Sequence, residues 1–145
     1  MFYGEYEHSL DTKNRVIIPA KFRDVLKQNY VDKFFITRGL DKCLFIFAED
    51  EWRLQEQKFK TRSFTKSEVR KFNRLFFSGA SDVGCDRQGR ILVPNYLKAY
   101  AEIKKDVFII GVSNRFEIWA KDKWNNFYND TKDSFEEIAE NLIEE

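Results

Sequence analysis

The chain has 145 residues, 43% of them hydrophobic and 17% aromatic, so it carries more apolar area than a disordered segment and enough to bury a core. A formal net charge of +1 and two cysteines, Cys43 and Cys85, exclude an overall polycation and a disulfide framework, and their separation fits no paired zinc-ligand spacing. No run reaches the ~18 apolar residues of a membrane span, and the opening Met1-Phe2-Tyr3-Gly4-Glu5 lacks the regions of a signal peptide, so a cytoplasmic protein with no membrane partner is expected.

The first predicted element is a strand from about Tyr3 to Leu10, with Tyr6, His8 and Leu10 on one face and Glu5, Glu7 and Ser9 on the other. A sharp turn follows. Asp11 opens it with a carboxylate able to accept backbone N–H groups, and Asn14 occupies the position that wants a left-handed residue. The run Val16-Ile17-Ile18 is continuous and β-branched, as in a strand buried on both faces, and it is expected to pair back on the first strand. Pro19 then stops the strand and suits the first turn of a helix, where Phe22, Val25 and Leu26 recur at helical spacing. Two more strands, Phe34-Phe35-Ile36 and Cys43-Leu44-Phe45-Ile46-Phe47, precede a helix expected to begin at Trp52.

Two helical stretches, roughly 49–60 and 65–77, lead to the second half of the chain. The later one opens on a Thr65-Lys66-Ser67-Glu68 capping box and stripes Val69, Phe72, Phe76 and Phe77 along one face. From Arg53 to Arg74 eight basic residues face two acids, whereas the tail from Asp130 carries seven acids against Lys132. Segregation of this kind suits a polyanion partner for the middle segment, or a middle and tail that face one another in an oligomer. The tail helix places Phe135, Ile138, Leu142 and Ile143 on an apolar face that can dock on the body or on a neighbouring subunit.

The only two prolines, Pro19 and Pro94, lie 75 residues apart and end two copies of one phrase. Leu10-Asp11-Thr12-Lys13-Asn14-Arg15-Val16-Ile17-Ile18-Pro19 returns as Cys85-Asp86-Arg87-Gln88-Gly89-Arg90-Ile91-Leu92-Val93-Pro94. Phe2 and Gly4 also recur, as Phe77 and Gly79, so the chain is an internal duplication. Gly89 matches Asn14, Leu97, Tyr100 and Ala101 match the first helix, and Cys85 takes the apolar slot of Leu10, as a buried structural thiol. The later strands recur as Val107-Phe108-Ile109-Ile110 and Phe116-Glu117-Ile118-Trp119, at an offset shorter by two or three residues, and Trp124 is expected to begin the matching helix. Each unit therefore reads β-turn-β-α-β-β-α. Halves this small would bury only a modest core alone, so they should share one.

Catalytic chemistry finds little here: the one histidine, His8, sits on a strand face, and there is no phosphate-cradling glycine loop, nucleophile elbow or carboxylate pair at a telling spacing. Neither an enzyme nor a bound cofactor or metal is expected. The turns are the candidate site. Their tips expose Lys13 beside Arg15 in one copy, and Arg87 and Gln88 beside Arg90 in the other. Asp11 faces Arg15, and Asp86 faces Arg90, four residues apart across a tight turn. Each carboxylate can fix a guanidinium whose free donors meet a phosphate or a guanine edge, or the pair is simply an internal salt bridge. Lys21, Arg23 and Lys98, one turn into the following helices, add positive charge and favour nucleic acid.

Asp-x-x-x-Arg, an aliphatic run and a proline, occurring twice in one chain, resemble the MraZ family of bacterial regulators, whose units are similar to the AbrB-type swapped-hairpin domain. The resemblance covers essentially the whole chain. It implies an α+β fold in which tandem units form a double swapped-hairpin barrel with peripheral helices. The organisation expected is a first unit over 1–60, a connecting helix over 61–78, a second unit over 79–129 and an acidic C-terminal helix over 130–145. The resemblance further implies a nucleoid-associated transcriptional regulator at the head of the division and cell-wall gene cluster. Such a regulator binds double-stranded promoter DNA at short direct repeats upstream of its own operon, and forms a ring homo-oligomer of about eight subunits. The family's turn motif falls on Asp11 and Arg15 and on Asp86 and Arg90, with Asn14 departing from the usual glycine. An assembly ring without specific DNA reading, or an antitoxin-like partner of a small toxin, is the alternative.

Overall fold

A computed structural model describes residues 1–28 and 32–143. The first copy supplies β1 (Glu5–Ser9), β2 (Arg15–Ile17), α1 (Ala20–Gln28), β3 (Phe34–Arg38), β4 (Leu44–Ala48) and α2 (Glu49–Lys60). After α3 (Ser67–Ser78), the second supplies β5 (Ser81–Val83), β6 (Arg90–Leu92), α4 (Asn95–Tyr100), β7 (Asp106–Gly111), β8 (Phe116–Ala120) and α5 (Lys121–Thr131). A short 3-10 turn over Lys132–Ser134 leads into α6 (Phe135–Ile143). The unit predicted from the repeat is present twice.

The strands form a six-stranded sheet, in the order β1-β7-β8-β4-β3-β5, and a two-stranded ribbon of β2 and β6, antiparallel throughout. Replacing each strand by its counterpart in the other copy gives the same order backwards. The fold is therefore a pseudo-dimer in one chain, with its two-fold axis passing between β8 and β4 and between β2 and β6. The registers agree: Val16 sits opposite its own counterpart Ile91, and Phe45 opposite Glu117.

This pairing corrects the expected hairpin. β2 does not pair back on β1; it pairs with β6, while β1 pairs with β7 and β5 with β3. Each copy has exchanged its strands with the other, as in the swapped-hairpin fold that the resemblance implied. Exchange buries both aliphatic runs against one core containing residues of both halves, among them Val16, Ile18, Phe22, Phe34, Ile91, Val93, Leu97 and Phe116. Phe116 is its aromatic centre, with the rings of Phe2, Phe22 and Phe34 at 5.1, 5.1 and 5.2 Å.

The aliphatic runs are not buried on both faces either. Val16, Ile18, Ile91 and Val93 point inward, but Ile17 and Leu92 are about half exposed, at 47% and 53%. A two-stranded ribbon has only one face against the core, so the period-two alternation of a strand sends every second residue to solvent. Pro19 and Pro94 stand one residue ahead of their helices, with their carbonyls accepting from Phe22 and Arg23 N–H and from Leu97 and Lys98 N–H. The helices expected to begin at Trp52 and Trp124 start three residues earlier, at Glu49 and Lys121, and the acids Glu49, Asp50 and Glu51 complement the positive end of α2.

α2 and α3 form an arm sealed by stacked aromatics. Trp52 lies between Phe35, at 5.3 Å, and Phe76, at 5.6 Å, and the Thr37 hydroxyl donates to the Phe76 carbonyl at 2.5 Å. The capping box does not form: Lys66 holds the cap position of α3 without a side-chain cap bond, and Thr65 Oγ1 instead meets Ser63 Oγ. Arg70 takes over the local backbone by donating to the carbonyls of Phe64 and Thr65. α6 does not dock on the body; Phe135, Ile138, Leu142 and Ile143 all remain exposed. Cys85 is only half-buried, Cys43 is fully buried, and both thiols are free. Among the described residues no helix is long and apolar enough to cross a membrane.

Candidate nucleic-acid interface

Each turn is held by one aspartate. In the first copy, Asp11 Oδ1 accepts from the backbone N–H groups of Lys13 and Arg15, both at 2.9 Å, and Asp11 Oδ2 accepts from Arg15 Nε at 2.9 Å. The second copy repeats these bonds, with Asp86 Oδ1 taking Gln88 and Arg90 N–H at 2.9 Å and Asp86 Oδ2 taking Arg90 Nε at 2.8 Å. Both carboxylates are held below the ordinary range, chiefly by the Arg15 and Arg90 backbone N–H groups, with the paired guanidinium adding to the effect. Charge and turn geometry are thereby coupled.

The left-handed residues sit where the sequence placed them, Asn14 at φ 60° and Gly89 at φ 79°. Their carbonyls bridge the copies: Gly89 O accepts from Ile18 N–H at 2.9 Å, and Asn14 O from Val93 N–H at 2.8 Å. The following helices complete each turn from the opposite copy. Lys98 Nζ donates to Asn14 Oδ1 at 3.0 Å, and Asn14 Nδ2 to Asn95 Oδ1 at 2.7 Å. The Arg23 guanidinium lies so close over Gly89 that a Cβ there would meet its carbon at 2.7 Å. Glycine suits 89 because of its positive φ, with the movable end of Arg23 lying over it, whereas asparagine takes the same conformation at 14 and its amide joins the other copy.

The swap brings both turns onto one ribbon. Since Arg15 pairs with Leu92 and Ile17 with Arg90, the outward face carries Arg15, Ile17, Arg90 and Leu92 together. The ribbon is three residues long, about 10 Å, so its two turns stand at opposite ends. Exposed Thr12 and Lys13 tip one end, and exposed Arg87 and Gln88 the other. Among the described residues the terminal guanidinium nitrogens of Arg15 form no hydrogen bond, although its Nε is held.

Of the residues singled out in sequence, the structure gathers Asp11, Lys13, Asn14, Arg15, Asp86, Arg87, Gln88, Arg90, Arg23 and Lys98 around this ribbon. Lys21 stays exposed on α1. Ile17 and Leu92 were missed as surface residues. The signal was present in Arg15-x-Ile17 and Arg90-x-Leu92, a period of two that puts an arginine and an aliphatic side chain on one face. Among the described residues no group of three or more His, Cys, Asp or Glu side chains is placed to hold a metal ion.

The ribbon is a compact donor array. Two fixed arginines and four further polar tips surround two apolar side chains, on an element slim enough to enter the major groove of a duplex. A family model described as "MraZ protein, putative antitoxin-like" matches the chain in two stretches, residues 1–75 and 76–145, one for each copy of the repeat.

Proposed function

The chain belongs to the MraZ family over its whole length, and from that premise we propose that it is a sequence-specific DNA-binding transcriptional regulator which sets the β2-β6 ribbon into the major groove. In this reading Arg15 and Arg90 meet base edges or phosphates from the ribbon face, while Lys13, Asn14, Arg87 and Gln88 contact the duplex from its ends. Arg23, Lys98 and Lys21 add positive charge behind them. The observation that carries the reading is the convergence of both Asp–Arg turns on one exposed ribbon, since an internal salt bridge alone gives no reason for two copies to converge outward.

The targets are short direct repeats in promoter DNA, upstream of the protein's own operon in the division and cell-wall cluster. A ring homo-oligomer, of about eight subunits, repeats the ribbon as the DNA repeats its site. Contacts weak at each repeat then combine through effective concentration. A rigid ring on straight DNA requires some deformation of one or the other, offset by the added contacts.

Arg15→Ala and Arg90→Ala are expected to abolish retention of a promoter fragment in a gel shift while leaving oligomer mass unchanged. Normal binding by both variants rules the ribbon out. Affinity should also fall steeply with salt, with a log–log slope near the number of phosphates neutralised. An assembly ring without DNA reading shows no such slope apart from dissociation of the ring. The family description favours one further reading, an antitoxin-like protein, for which a small toxin would co-purify with the chain.

A further inference from the structure

Two groups of exposed large apolar side chains lie away from the ribbon. One is on the α2/α3 arm, with Leu54, Phe64 and Leu75 at 58%, 76% and 61% exposure; the other is on α6, with Phe135, Ile138 and Leu142 at 74%, 44% and 65%. On α6 these three recur at helical spacing and make one stripe, while Glu136, Glu137 and Glu140 lie exposed beside it. The arm has the complementary character. Between the end of α2 and α3 runs a groove of about 300 Å3 floored by Phe59, Val69 and Phe72, with Arg62 on its wall. Lys58, Lys60, Lys66 and Lys71 stand exposed on α2, on α3 and on the link between them, and one acid, Glu68, lines the groove.

We infer that α6 of one subunit lies in the α2/α3 groove of a second copy of this chain, as the contact that joins subunits. A helix turn with an apolar stripe and acidic flanks fits an apolar floor on a basic arm, and burial there removes the α6 stripe and the groove floor from water. The groove also holds the one buried side-chain oxygen without a hydrogen-bond partner among the described residues, Asn73 Oδ1. On α6 the one side chain with a donor for that oxygen is Asn141, since the glutamates beside the stripe only accept. The contact joins two different patches, so it is head-to-tail and propagates until it closes a ring. It deepens the self-association in the reading above and uses none of the ribbon residues.

The test uses full-length chains and native mass spectrometry. Ile138→Lys with Leu142→Lys spoils the tail and leaves the groove; Arg62→Glu with Val69→Glu does the reverse. Each double variant alone is expected to lose the wild-type oligomer. Mixed in equal amounts they should give a one-to-one dimer and nothing larger, because the pair retains a single intact groove and a single intact tail. Trp52 emission reports whether the arm of the groove variant is folded, and if it is not, the milder Arg62→Ala with Val69→Ser must still weaken association at least tenfold. Either double variant keeping the wild-type mass overturns the inference. So does a mixture without the dimer, the result if α6 folds back on its own groove or serves another protein. Arg15→Ala distinguishes the two readings, because it should keep the wild-type mass while losing DNA.

Discussion

Arg90 Nη1 lies 3.5 Å from Asp11 Oδ2, across the boundary between the two copies, while Arg90 Nε donates to its own Asp86 at 2.8 Å. Asp11 therefore serves two guanidinium groups, Arg15 and Arg90, and Asp86 serves one. Two turns built on the same Asp-x-x-x-Arg frame are thus unequal in how their carboxylates are paired.

That inequality predicts unequal variants. Asp11→Asn loosens both arginines and Asp86→Asn only Arg90, so the first should weaken promoter retention more. A single misplaced guanidinium costs about 1–3 kcal/mol, or roughly 5- to 150-fold in affinity, and the Asp11 variant should exceed the Asp86 variant by a comparable factor. Equal dissociation constants, from titrations at one salt concentration, would remove Asp11 as the shared anchor.

Gly89→Ala should destabilise the fold by more than about 1 kcal/mol, because it combines a φ of +79° with the Arg23 guanidinium where the methyl must go. Asn14→Gly keeps the conformation but deletes the bonds to Asn95 and Lys98, a loss of about 0.5–1.5 kcal/mol for each bond. Urea midpoints measure both. If the turns are free of one another, Asn14→Gly should be nearly neutral while Gly89→Ala still lowers the midpoint.

The lowered Asp11 and Asp86 values set a pH dependence of definite sign. Unfolding returns each carboxyl to its ordinary value of 3.8, so the unfolded chain binds more protons just below that value. The turns' contribution to stability is whole above pH 3.8 and is lost as pH falls from there through the lowered folded values. Urea midpoints followed from pH 5 downward should drop less for Asp11→Asn with Asp86→Asn than for the parent chain; identical slopes would contradict the coupling.

Strand exchange predicts that neither half folds alone as a monomer. Residues 1–75 hold β1 without β7 and β3 without β5, leaving unpaired edges beside an open core. Expressed separately, each half should be unfolded or should dimerise with itself in place of its partner, and mixing the halves should restore cooperative unfolding. A well-dispersed NMR spectrum from a monomeric half would refute the exchange.

Much of the turn geometry was legible in the sequence. The 75-residue offset aligned Asp11 with Asp86 and Arg15 with Arg90, and turn chemistry alone placed left-handed residues at Asn14 and Gly89. The capping box at Thr65 failed because the Thr65 hydroxyl meets Ser63 Oγ, a partner outside the four-residue motif. Burial of the aliphatic runs was misread because a continuous apolar stretch looks the same in a sheet covered on both faces and in a ribbon covered on one.

The sequence by itself determined the duplication, the order of elements, and the Asp–Arg turns, since these depend on residues close in the chain or on comparison of one half with the other. Only the tertiary structure decided which strands pair. β2 could close on β1 or on β6 with the same local conformation, and the choice rests on burying two aliphatic runs and four phenylalanines in one shared core. From that long-range pairing come the ribbon, the opposition of Arg15 to Leu92, and the reach of Arg90 to Asp11, none of which any local pattern encodes.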